Sequence, residues 1–242
     1  VKYIKNKKFD KIFIFNSSIK YLLLAKLAGI KSINQYPLFL RKNNIVLTAR
    51  ELIQNSIQEN ISTQPILHLD KDKIENAKNK YKFDDNFKHI CLGFSASGPT
   101  KRWPVENYIQ LAENLNKIKP CKFYLAGGRN DEELFKKFLN SSIASSCISF
   151  KDLYISETLP IIKNCDMYVG NDTGWLHIAS ALNKKCVALF MDTPVKAYGK
   201  YSKNISVIVP EGETEETTTH DTLGKDKINF EKVLNKSLET LD

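Results

Sequence analysis

Short apolar segments alternate with amphipathic segments along most of this 242-residue sequence, and this alternation restricts the possible folds more than any other feature. Runs of β-branched and aromatic residues predict strands, whereas apolar residues three and four positions apart predict helices. Strands that alternate regularly with helices form parallel sheets. The sequence therefore predicts an α/β fold with parallel sheets.

A polar, charged segment divides this pattern into two parts. The predicted elements of the first part are a strand at residues 11–16, helices at 17–28 and 48–60, and a short strand at 66–69. Residues 70–82 predict a charged helix, which we interpret as a connector. We therefore expect a partial N-terminal domain at residues 1–70 and a C-terminal domain at residues 71–242.

The second part repeats the pattern more clearly. The predicted elements are strands at residues 89–94, 122–126, 147–150, 167–170, 187–190 and 206–209, and helices at 105–118, 131–139, 157–164, 174–182 and 230–241. Residues 211–221 are rich in Glu and Thr and predict a mobile loop. Ligands of open α/β sheets bind in the crevice at the carboxyl ends of the strands. The loops that directly follow strands are therefore the candidates for a functional site.

The first candidate loop is Gly-Phe-Ser-Ala-Ser-Gly-Pro-Thr-Lys-Arg-Trp-Pro at residues 93–104. Its small residues let the backbone approach a ligand closely, and Lys101 and Arg102 supply positive charge for a phosphate. The two glycines have the spacing of a P-loop, but Pro99 follows them and lacks an amide donor, so the ATPase motif is incomplete. The alternative to phosphate binding is a capped turn in which Trp103 packs into the core.

The second candidate loop is Gly-Gly-Arg-Asn-Asp-Glu-Glu at residues 127–133. Paired glycines permit a tight turn, and an acidic residue at a helix start accepts hydrogen bonds from ribose hydroxyls in dinucleotide-binding folds. Asp131, Glu132 and Glu133 are the candidates for that contact. Stabilisation of the helix dipole is the alternative role for each of them.

The third candidate loop lies within Val-Gly-Asn-Asp-Thr-Gly-Trp-Leu-His-Ile-Ala-Ser-Ala at residues 169–181. A strand ends and a helix begins near Thr173 or Gly174, so that free backbone amides and the positive helix end point into the crevice, where a diphosphate would be well placed. Asp172 is either the helix N-cap or an acceptor for sugar hydroxyls. His177 shares a helix face with Thr173 and is either a packing residue or part of the site.

Charge and cysteine content restrict the class of protein. The net charge of +9 comes mostly from scattered lysines, which is typical of a solvated surface, so we expect no nucleic-acid partner. The five cysteines are widely spaced and form no Cys-x-x-Cys motif, so we expect reduced thiols, a cytoplasmic location and no metal cluster. No apolar run approaches the roughly 20 residues of a transmembrane helix, and residues 1–10 lack the apolar core of a signal peptide.

The three loops together resemble a known family. Lys-Arg-Trp-Pro, the Gly-Gly turn and Asn-Asp-Thr-Gly-Trp-Leu-His-Ile-Ala-Ser-Ala, in this order, look like the C-terminal domain of glycosyltransferase family 9, the lipopolysaccharide heptosyltransferases. The resemblance covers residues 88–210 and extends more weakly over residues 9–33. It implies a GT-B fold with two Rossmann-like domains, of which the N-terminal one is incomplete here.

The resemblance also implies an activity. It implies inverting, metal-independent transfer of a heptose or related sugar from an ADP-heptose-type donor to a lipopolysaccharide-core or similar acceptor, without a cofactor. A lysine-rich N-terminal segment would suit an enzyme in peripheral contact with the anionic inner face of the inner membrane. The exact donor sugar is not fixed by these residues, since the family includes other donors and acceptors.

The family's donor site is carried over residue by residue. The expected donor-binding residues are Ser97, Lys101, Glu132, Asp172, Thr173, Gly174 and His177. Lys101 would neutralise the donor phosphate, and Ser97, Thr173 and Gly174 would hydrogen-bond to the phosphates. Asp172 would hold sugar hydroxyls, His177 would brace its loop, and Glu132 would contact the ribose. Adenine would lie against residues 152–155.

One part of the family pattern is missing from this sequence. Family members begin with a strand and a glycine-containing loop that carries the carboxylate thought to act as base, and no such segment precedes Phe9. The base of an inverting transfer must deprotonate the attacking acceptor hydroxyl. We therefore expect the base to lie upstream of Val1, and we expect the chain as given to be inactive on its own.

Three other interpretations remain open from the residues. A sugar-nucleotide epimerase of the same fold would need further acid and base residues, and it would release an isomerised sugar nucleotide in place of free nucleotide. A truncated or degenerate nucleotide-binding module would need no base at all. A metal-dependent transferase would need an Asp-x-Asp motif, which Asp70 and Asp72 match in letters, although helix capping explains both carboxylates.

Overall fold

The computed structural model describes residues 1–38 and 44–242 and divides the chain into two compact units. Unit 1 consists of Val1–Thr63 and Lys196–Tyr201, and unit 2 consists of Gln64–Val195 and Ser202–Asp242. The division falls a few residues before the predicted boundary near residue 70. The return of Lys196–Tyr201 to unit 1 was not predicted.

Unit 1 is a small α/β unit with a two-stranded parallel sheet. Its elements are α1 (Lys2–Asn6), β1 (Lys11–Ile14), α2 (Ile19–Leu27), β2 (Ser32–Gln35) and α3 (Ile45–Ile57). Strands β1 and β2 pair with Ile12 opposite Ile33. Side chains from β1, α2 and the segment that joins α2 to β2 form a small core: Ile14, Ala25, Ala28 and Ile30.

Local signals explain where the helices of unit 1 begin and end. The Ser18 hydroxyl accepts a hydrogen bond from the Lys20 amide and caps α2. Gly29 follows α2 with a φ of +78°, a left-handed conformation that favours glycine and stops the helix. The Asn44 side chain accepts from the amides of Val46 and Leu47, so α3 begins three residues before its predicted start at residue 48.

Unit 2 is built on a six-stranded sheet in which every strand pair is parallel. Its strands are β3 (Lys88–Gly93), β4 (Cys121–Leu125), β5 (Cys147–Ser149), β6 (Met167–Asn171), β7 (Lys185–Leu189) and β8 (Ile205–Ile208). Its helices are α4 (Lys71–Lys80), α5 (Val105–Ile118), α6 (Glu132–Leu139), α7 (Ile155–Asn164), α8 (Gly174–Ala181) and α10 (Phe230–Leu241), while α9 (Val195–Tyr198) crosses the division between the units. These elements match the predicted alternation.

The strand order of unit 2 is β5-β4-β3-β6-β7-β8. The chain first moves outward from β3 to β5, then returns to place β6 beside β3 and moves outward on the other side. This is the order of a dinucleotide-binding Rossmann sheet, and its crevice lies where the direction reverses. In unit 2, that point lies between β3 and β6.

The core of unit 2 lies on the faces of this sheet. The central strands β3 and β6 are almost entirely buried, as expected for parallel strands covered on both faces. Trp103 is buried, with its ring centroid 5.0 Å from that of Tyr108 and 6.0 Å from that of Phe230. Trp103 therefore packs into the core, as the alternative interpretation of its loop holds.

The predicted strands differ from the structure at two short segments, and the short helices α1 and α9 were not predicted. Residues 66–69 form no strand, since the one backbone bond described there runs from the Leu67 amide to the Ala181 carbonyl at the end of α8. Strand β2 was not predicted, because its sequence Ser-Ile-Asn-Gln is mostly polar. Periodicity alone misjudges such short segments, because long-range pairing decides their conformation.

Candidate functional site

The candidate site is a cavity of about 340 Å³ in unit 2, at the carboxyl ends of β3 and β6. Its lining residues come from the loop after β3, from the start of α7 and from the loop and helix after β6: Ser95, Ala96, Ser97, Ile155, Asp172, Thr173, Gly174, Trp175 and Ile178. The cavity therefore lies at the reversal point of the strand order, where ligands of such sheets bind. Its volume is within the roughly 300 to 1,000 Å³ of small-molecule sites.

The loop after β3 forms one wall and is held by Arg102. The Arg102 guanidinium donates to the Ala96 carbonyl through Nε at 2.8 Å and through Nη2 at 2.6 Å. Nη2 also lies 3.4 Å from Oδ1 of the buried Asp131. Arg102 therefore shapes the loop next to Ser97 and links it to the loop after β4.

Lys101 lies in the same loop, at the end of the short 3-10 turn Pro99–Lys101. Its side chain is half-buried, and within residues 1–38 and 44–242 it forms no ion pair. Lys101 is not one of the cavity-lining residues, although Ser97 is. Lys101 and Arg102 were both predicted to contact a phosphate. Arg102 is bonded to Ala96 and paired with Asp131, so Lys101 is the more available of the two.

The loop after β6 forms the opposite wall. Helix α8 begins at Gly174 with Thr173 as its N-cap, and no side chain caps its first turn. The Thr173 hydroxyl oxygen is buried, and no hydrogen bond to it meets the usual geometric limits in the described part of the chain. An uncapped helix start beside a cavity offers backbone amides and positive potential to an anion. The predicted phosphate contacts Thr173 and Gly174 thus meet Ser97 at one cavity.

Asp172 contacts His177 and does not cap the helix. The Asp172 side chain is only 8% exposed, and its Oδ1 lies 3.4 Å from Nε2 of His177, whose side chain is 39% exposed. The N-cap is Thr173, so the helix-cap alternative for Asp172 is wrong. One carboxylate therefore combines a cavity-lining position with an imidazole partner one helical turn further on.

Asn171, which the sequence did not single out, joins the two walls. Its side chain is completely buried, and its Oδ1 accepts from the Trp103 amide at 3.2 Å and from the Tyr108 hydroxyl at 2.8 Å. Its Nδ2 donates to the Phe94 carbonyl at 2.9 Å and to the Ser95 carbonyl at 3.4 Å. Burial raises the pKa of the Tyr108 hydroxyl well above its ordinary value, so Tyr108 remains a donor at neutral pH.

The loop after β4 lies at the next strand end but does not line the cavity. Asp131 is buried, and its Oδ2 accepts from the Gly128 amide at 2.9 Å while its Oδ1 faces Arg102. Glu132 is exposed and lies 3.2 Å from the Lys151 ammonium. Asp131 is thus used within the protein, and of these two carboxylates Glu132 is the more accessible. A ribose contact by Glu132 stays a prediction.

One side of the cavity is apolar. Ile155, Trp175 and Ile178 line it, and the Trp175 ring centroid lies 6.0 Å from that of Phe150. Ile155 belongs to the segment at residues 152–155 against which adenine is expected. Within that segment, Ile155 is the residue that lines the cavity, and the adenine contact itself stays a prediction.

Of the two residues of the Asp-x-Asp match, Asp70 caps α4 and Asp72 lies in its first turn. Oδ1 of Asp70 accepts from the Asp72 amide at 2.8 Å at the start of α4. Among the described residues, no three His, Cys, Asp or Glu side chains are grouped so that they could hold a metal ion. In the same residues, no helix is both long and apolar enough to span a membrane.

Comparison with known proteins identifies similar sequences over most of the chain. The model of glycosyltransferase family 9 (heptosyltransferase) matches residues 5–226. Lipooligosaccharide heptosyltransferase 2 of Haemophilus ducreyi is 30% identical over 201 residues, which are 78% of this chain and 56% of the relative. Its counterpart in Haemophilus influenzae is 27% identical over 187 residues, 72% of this chain and 52% of the relative. The chain spans about half the length of these curated relatives.

A solved structure shows the same fold. The structure of Escherichia coli ADP-heptose lipopolysaccharide heptosyltransferase II matches with a TM-score of 0.71 at 22% identity, covering 99% of this chain and 78% of the other. That likeness confirms the predicted α/β fold of the GT-B type, with a parallel sheet in each of the two units.

Proposed function

Because the chain belongs to glycosyltransferase family 9, whose model matches residues 5–226, we propose that it supplies the donor site of a heptosyltransferase. In this proposal, unit 2 binds an ADP-heptose-type nucleotide sugar, and the heptose is transferred with inversion to a lipopolysaccharide-core or similar acceptor. The E. coli protein of the same fold is an ADP-heptose lipopolysaccharide heptosyltransferase, which supports the choice of donor.

The observation that carries the proposal is the cavity at the reversal point of the strand order. One wall offers Ser97, and the other offers the uncapped start of α8 at Thr173 and Gly174. Hydroxyls and backbone amides that converge from two walls suit a diphosphate, because its oxygens accept hydrogen bonds on both sides. The apolar side with Ile155 suits an adenine ring.

The proposed roles of the charged residues follow from their partners. Lys101 is not engaged in an ion pair in the described part of the chain, so its ammonium can neutralise the diphosphate. Asp172 lines the cavity and accepts hydrogen bonds from sugar hydroxyls, while His177 holds its carboxylate in place. Glu132 accepts from the ribose hydroxyls. Lys101 and the start of α8 can supply the positive charge that a diphosphate requires, which supports metal-independent transfer.

The transfer itself would exchange one bond for another. The acceptor hydroxyl oxygen attacks the anomeric carbon from the face opposite the diphosphate, the bond from that carbon to the phosphate oxygen breaks, and ADP leaves with its electron pair. A general base takes the hydroxyl proton. Positive charge at Lys101 and at the start of α8 stabilises the leaving diphosphate. We propose that this reaction takes place in the cytoplasm, with peripheral contact at the anionic inner face of the membrane supported by the net charge of +9.

Isothermal titration of the chain with ADP, in buffer containing a metal chelator, tests the donor site. We expect saturable binding to one site, with a stoichiometry of one nucleotide per chain. Absence of ADP binding would contradict the proposed function. Binding that is lost on chelation and restored by magnesium or manganese would contradict the metal-free account.

A pair of lysine variants tests the charge that the proposal uses. Charge-assisted hydrogen bonds are worth about 1.5 to 3 kcal/mol, so Lys101→Ala should weaken ADP binding by roughly ten- to a hundredfold. Lys88→Ala is the matched control, because it removes the same charge at the first residue of β3, at the end of the sheet opposite the cavity. Equal ADP affinities of the two variants would remove the phosphate role from Lys101.

A further inference from the structure

We propose that Asn171 is a positioning residue that sets the separation of the two walls of the donor site. The inference rests on the proposed function, because the ligand that needs this separation is the donor diphosphate. Asn171 itself does not line the cavity. It acts through the loop that carries Ser97 and Lys101.

The contacts of Asn171 involve both ends of that loop. At the start of the loop, Nδ2 donates to the carbonyls of Phe94 and Ser95, and at its end, Oδ1 accepts from the Trp103 amide. The residues between these two anchors include Ser97 and Lys101. Asn171 is also the last residue of β6 and directly precedes Asp172, at the opposite wall. One side chain thus ties the ends of the first wall to the base of the second.

The chemistry of an amide suits this position. A primary amide offers two donors and two acceptor lone pairs, and here it meets two carbonyls and two donors with no exposure to water. A carboxylate of the same shape would keep the bonds to Trp103 and Tyr108 but would place negative oxygens against the carbonyls of Phe94 and Ser95. An aliphatic side chain would remove all four of these bonds. Neither replacement offers both of the donors that the amide uses at the start of the loop.

The consequence for the ligand is geometric. A diphosphate that bridges Ser97 and the start of α8 gains all of its hydrogen bonds only when the two walls are at the correct distance. Loss of one hydrogen bond to a charged ligand group lowers affinity by roughly ten- to a hundredfold. Release of the loop start in Asn171→Asp should therefore weaken ADP binding by about ten- to a hundredfold while the rest of unit 2 stays folded.

Tyr108→Phe is the matched control. It removes a hydroxyl that donates to the same Oδ1 at 2.8 Å and lies 3.5 Å from the Gly93 carbonyl, but it leaves Asn171 bonded to both ends of the loop. If Asn171 only stabilises the fold, both variants should lower the unfolding temperature and neither should change ADP affinity in its folded state. If Asn171 positions the loop, only Asn171→Asp should lose affinity.

The experiment measures two properties of the wild type and both variants, well below their unfolding temperatures. The first is the dissociation constant of ADP by calorimetry. The second is hydrogen-deuterium exchange of the peptide covering residues 94–103, without nucleotide. We expect weaker ADP binding and faster exchange in Asn171→Asp, and wild-type values within about twofold in Tyr108→Phe. If Asn171→Asp does not unfold cooperatively, Asn171→Ser replaces it, because serine leaves room for water to reach the carbonyls.

The two readouts separate this inference from the proposed function. Exchange at residues 94–103 that is the same in all three proteins overturns the positioning role, and so does an ADP affinity of Asn171→Asp within about twofold of the wild type. A wild type that does not bind ADP refutes the proposed function instead. In that case, faster exchange confined to Asn171→Asp still supports the positioning of the loop.

Discussion

Among single residues, Asp172 is the one that the proposed function assigns to the sugar and not to the nucleotide. If its carboxylate accepts sugar hydroxyls, plain ADP lacks that partner, so Asp172→Asn should leave ADP affinity unchanged or slightly higher, since a negative charge near the phosphates is gone. A hydrogen bond to a charged group is worth about 1.5 to 3 kcal/mol, so binding of ADP-heptose should weaken by roughly ten- to a hundredfold. Paired titrations with ADP and ADP-heptose measure both effects.

The His177 contact provides the control for this prediction. Asn at position 172 keeps an oxygen that can face Nε2 of His177 at 3.4 Å, so the loop geometry should persist and thermal stability should change little. His177→Ala removes the same contact by deleting the imidazole, and it leaves the Asp172 carboxylate in place. If Asp172→Asn weakens ADP and ADP-heptose equally, the carboxylate has no specific role with the sugar.

Residue types at strand ends were enough to predict most of the cavity-lining residues, but they did not predict the buried hydrogen bonds that connect the loops. Ser97, Asp172, Thr173 and Gly174 line one cavity, because parallel strands deliver their carboxyl ends to the same edge. Asn171 was missed because its partners Phe94 and Trp103 are 77 and 68 residues away in sequence. A single sequence gives no signal for which buried amide bonds to which distant carbonyl.

Gly170 determines how closely strands β3 and β6 can approach each other. A Cβ at Gly170 would lie 2.6 Å from the backbone of Gly93 and would also overlap the Tyr168 hydroxyl. Because the backbone cannot move aside as a flexible side chain can, Gly170→Ala should lower the free energy of unfolding by about 1 to 3 kcal/mol. Urea unfolding followed by circular dichroism measures this change.

Gly98→Ala is the matched control for the strand pair. No atom lies within 4 Å of a Cβ at Gly98, and its φ of −142° is accessible to alanine. Its free energy of unfolding should stay within about 0.5 kcal/mol of the wild type. If Gly98→Ala and Gly170→Ala destabilise the protein equally, the close approach of β3 and β6 does not explain the glycine at position 170.

The elements of unit 2 were predictable because their signals are local. Helices α5 and α10 begin and end at the predicted residues, since their apolar periodicity is regular over three or more turns. The predicted strand at residues 66–69 was wrong, and β2 was missed. In both cases the segment is only four residues long, so its conformation depends on whether a neighbouring strand is available for pairing more than on its own propensity.

The whole molecule should lose stability in alkaline solution. Burial raises the pKa of the Cys186 thiol to about 12, and it also raises the pKa of Cys91 and Cys165 above their ordinary value. Unfolded thiols lose their protons near pH 8.5. Between that pH and the folded pKa values, the unfolded state binds fewer protons, so each such thiol should lower the free energy of unfolding by about 1.4 kcal/mol per pH unit.

Urea unfolding at pH 8, 9 and 10 measures this slope. The contribution of the buried, protonated thiols to the free energy of unfolding is fully present below pH 8.5 and is lost as the pH rises through their folded pKa values. Cys91→Ala should be less stable at every pH but should have a slope smaller by about 1.4 kcal/mol per pH unit. An unchanged slope in Cys91→Ala would show that its thiol does not contribute to the alkaline sensitivity.

The division of the chain into units was only partly accessible from the sequence. The charged segment before α4 indicated a change near residue 70, and the structural division falls after Thr63. The assignment of Lys196–Tyr201 to unit 1 rests on contacts such as the bond from the Asn44 amide group to the Gly199 carbonyl, 155 residues apart. The composition of residues 196–201 does not show that this segment belongs to unit 1, because the segment is not the Pro- and Gly-rich run that is typical of a linker.

The reversal of strand order between β3 and β6 also determines when the site comes into existence during synthesis. Phe94 and Asn171 leave the ribosome 77 residues apart, which at about 5 to 20 residues per second is an interval of roughly 4 to 15 seconds. During that interval, β3 can pair with β4 but the edge that β6 will occupy has no strand beside it. If the proposed function is correct, nucleotide can bind the nascent chain only after α8 has emerged, when β7 and β8 are still to be added, so the ligand cannot guide the earlier pairing of β3 with β4.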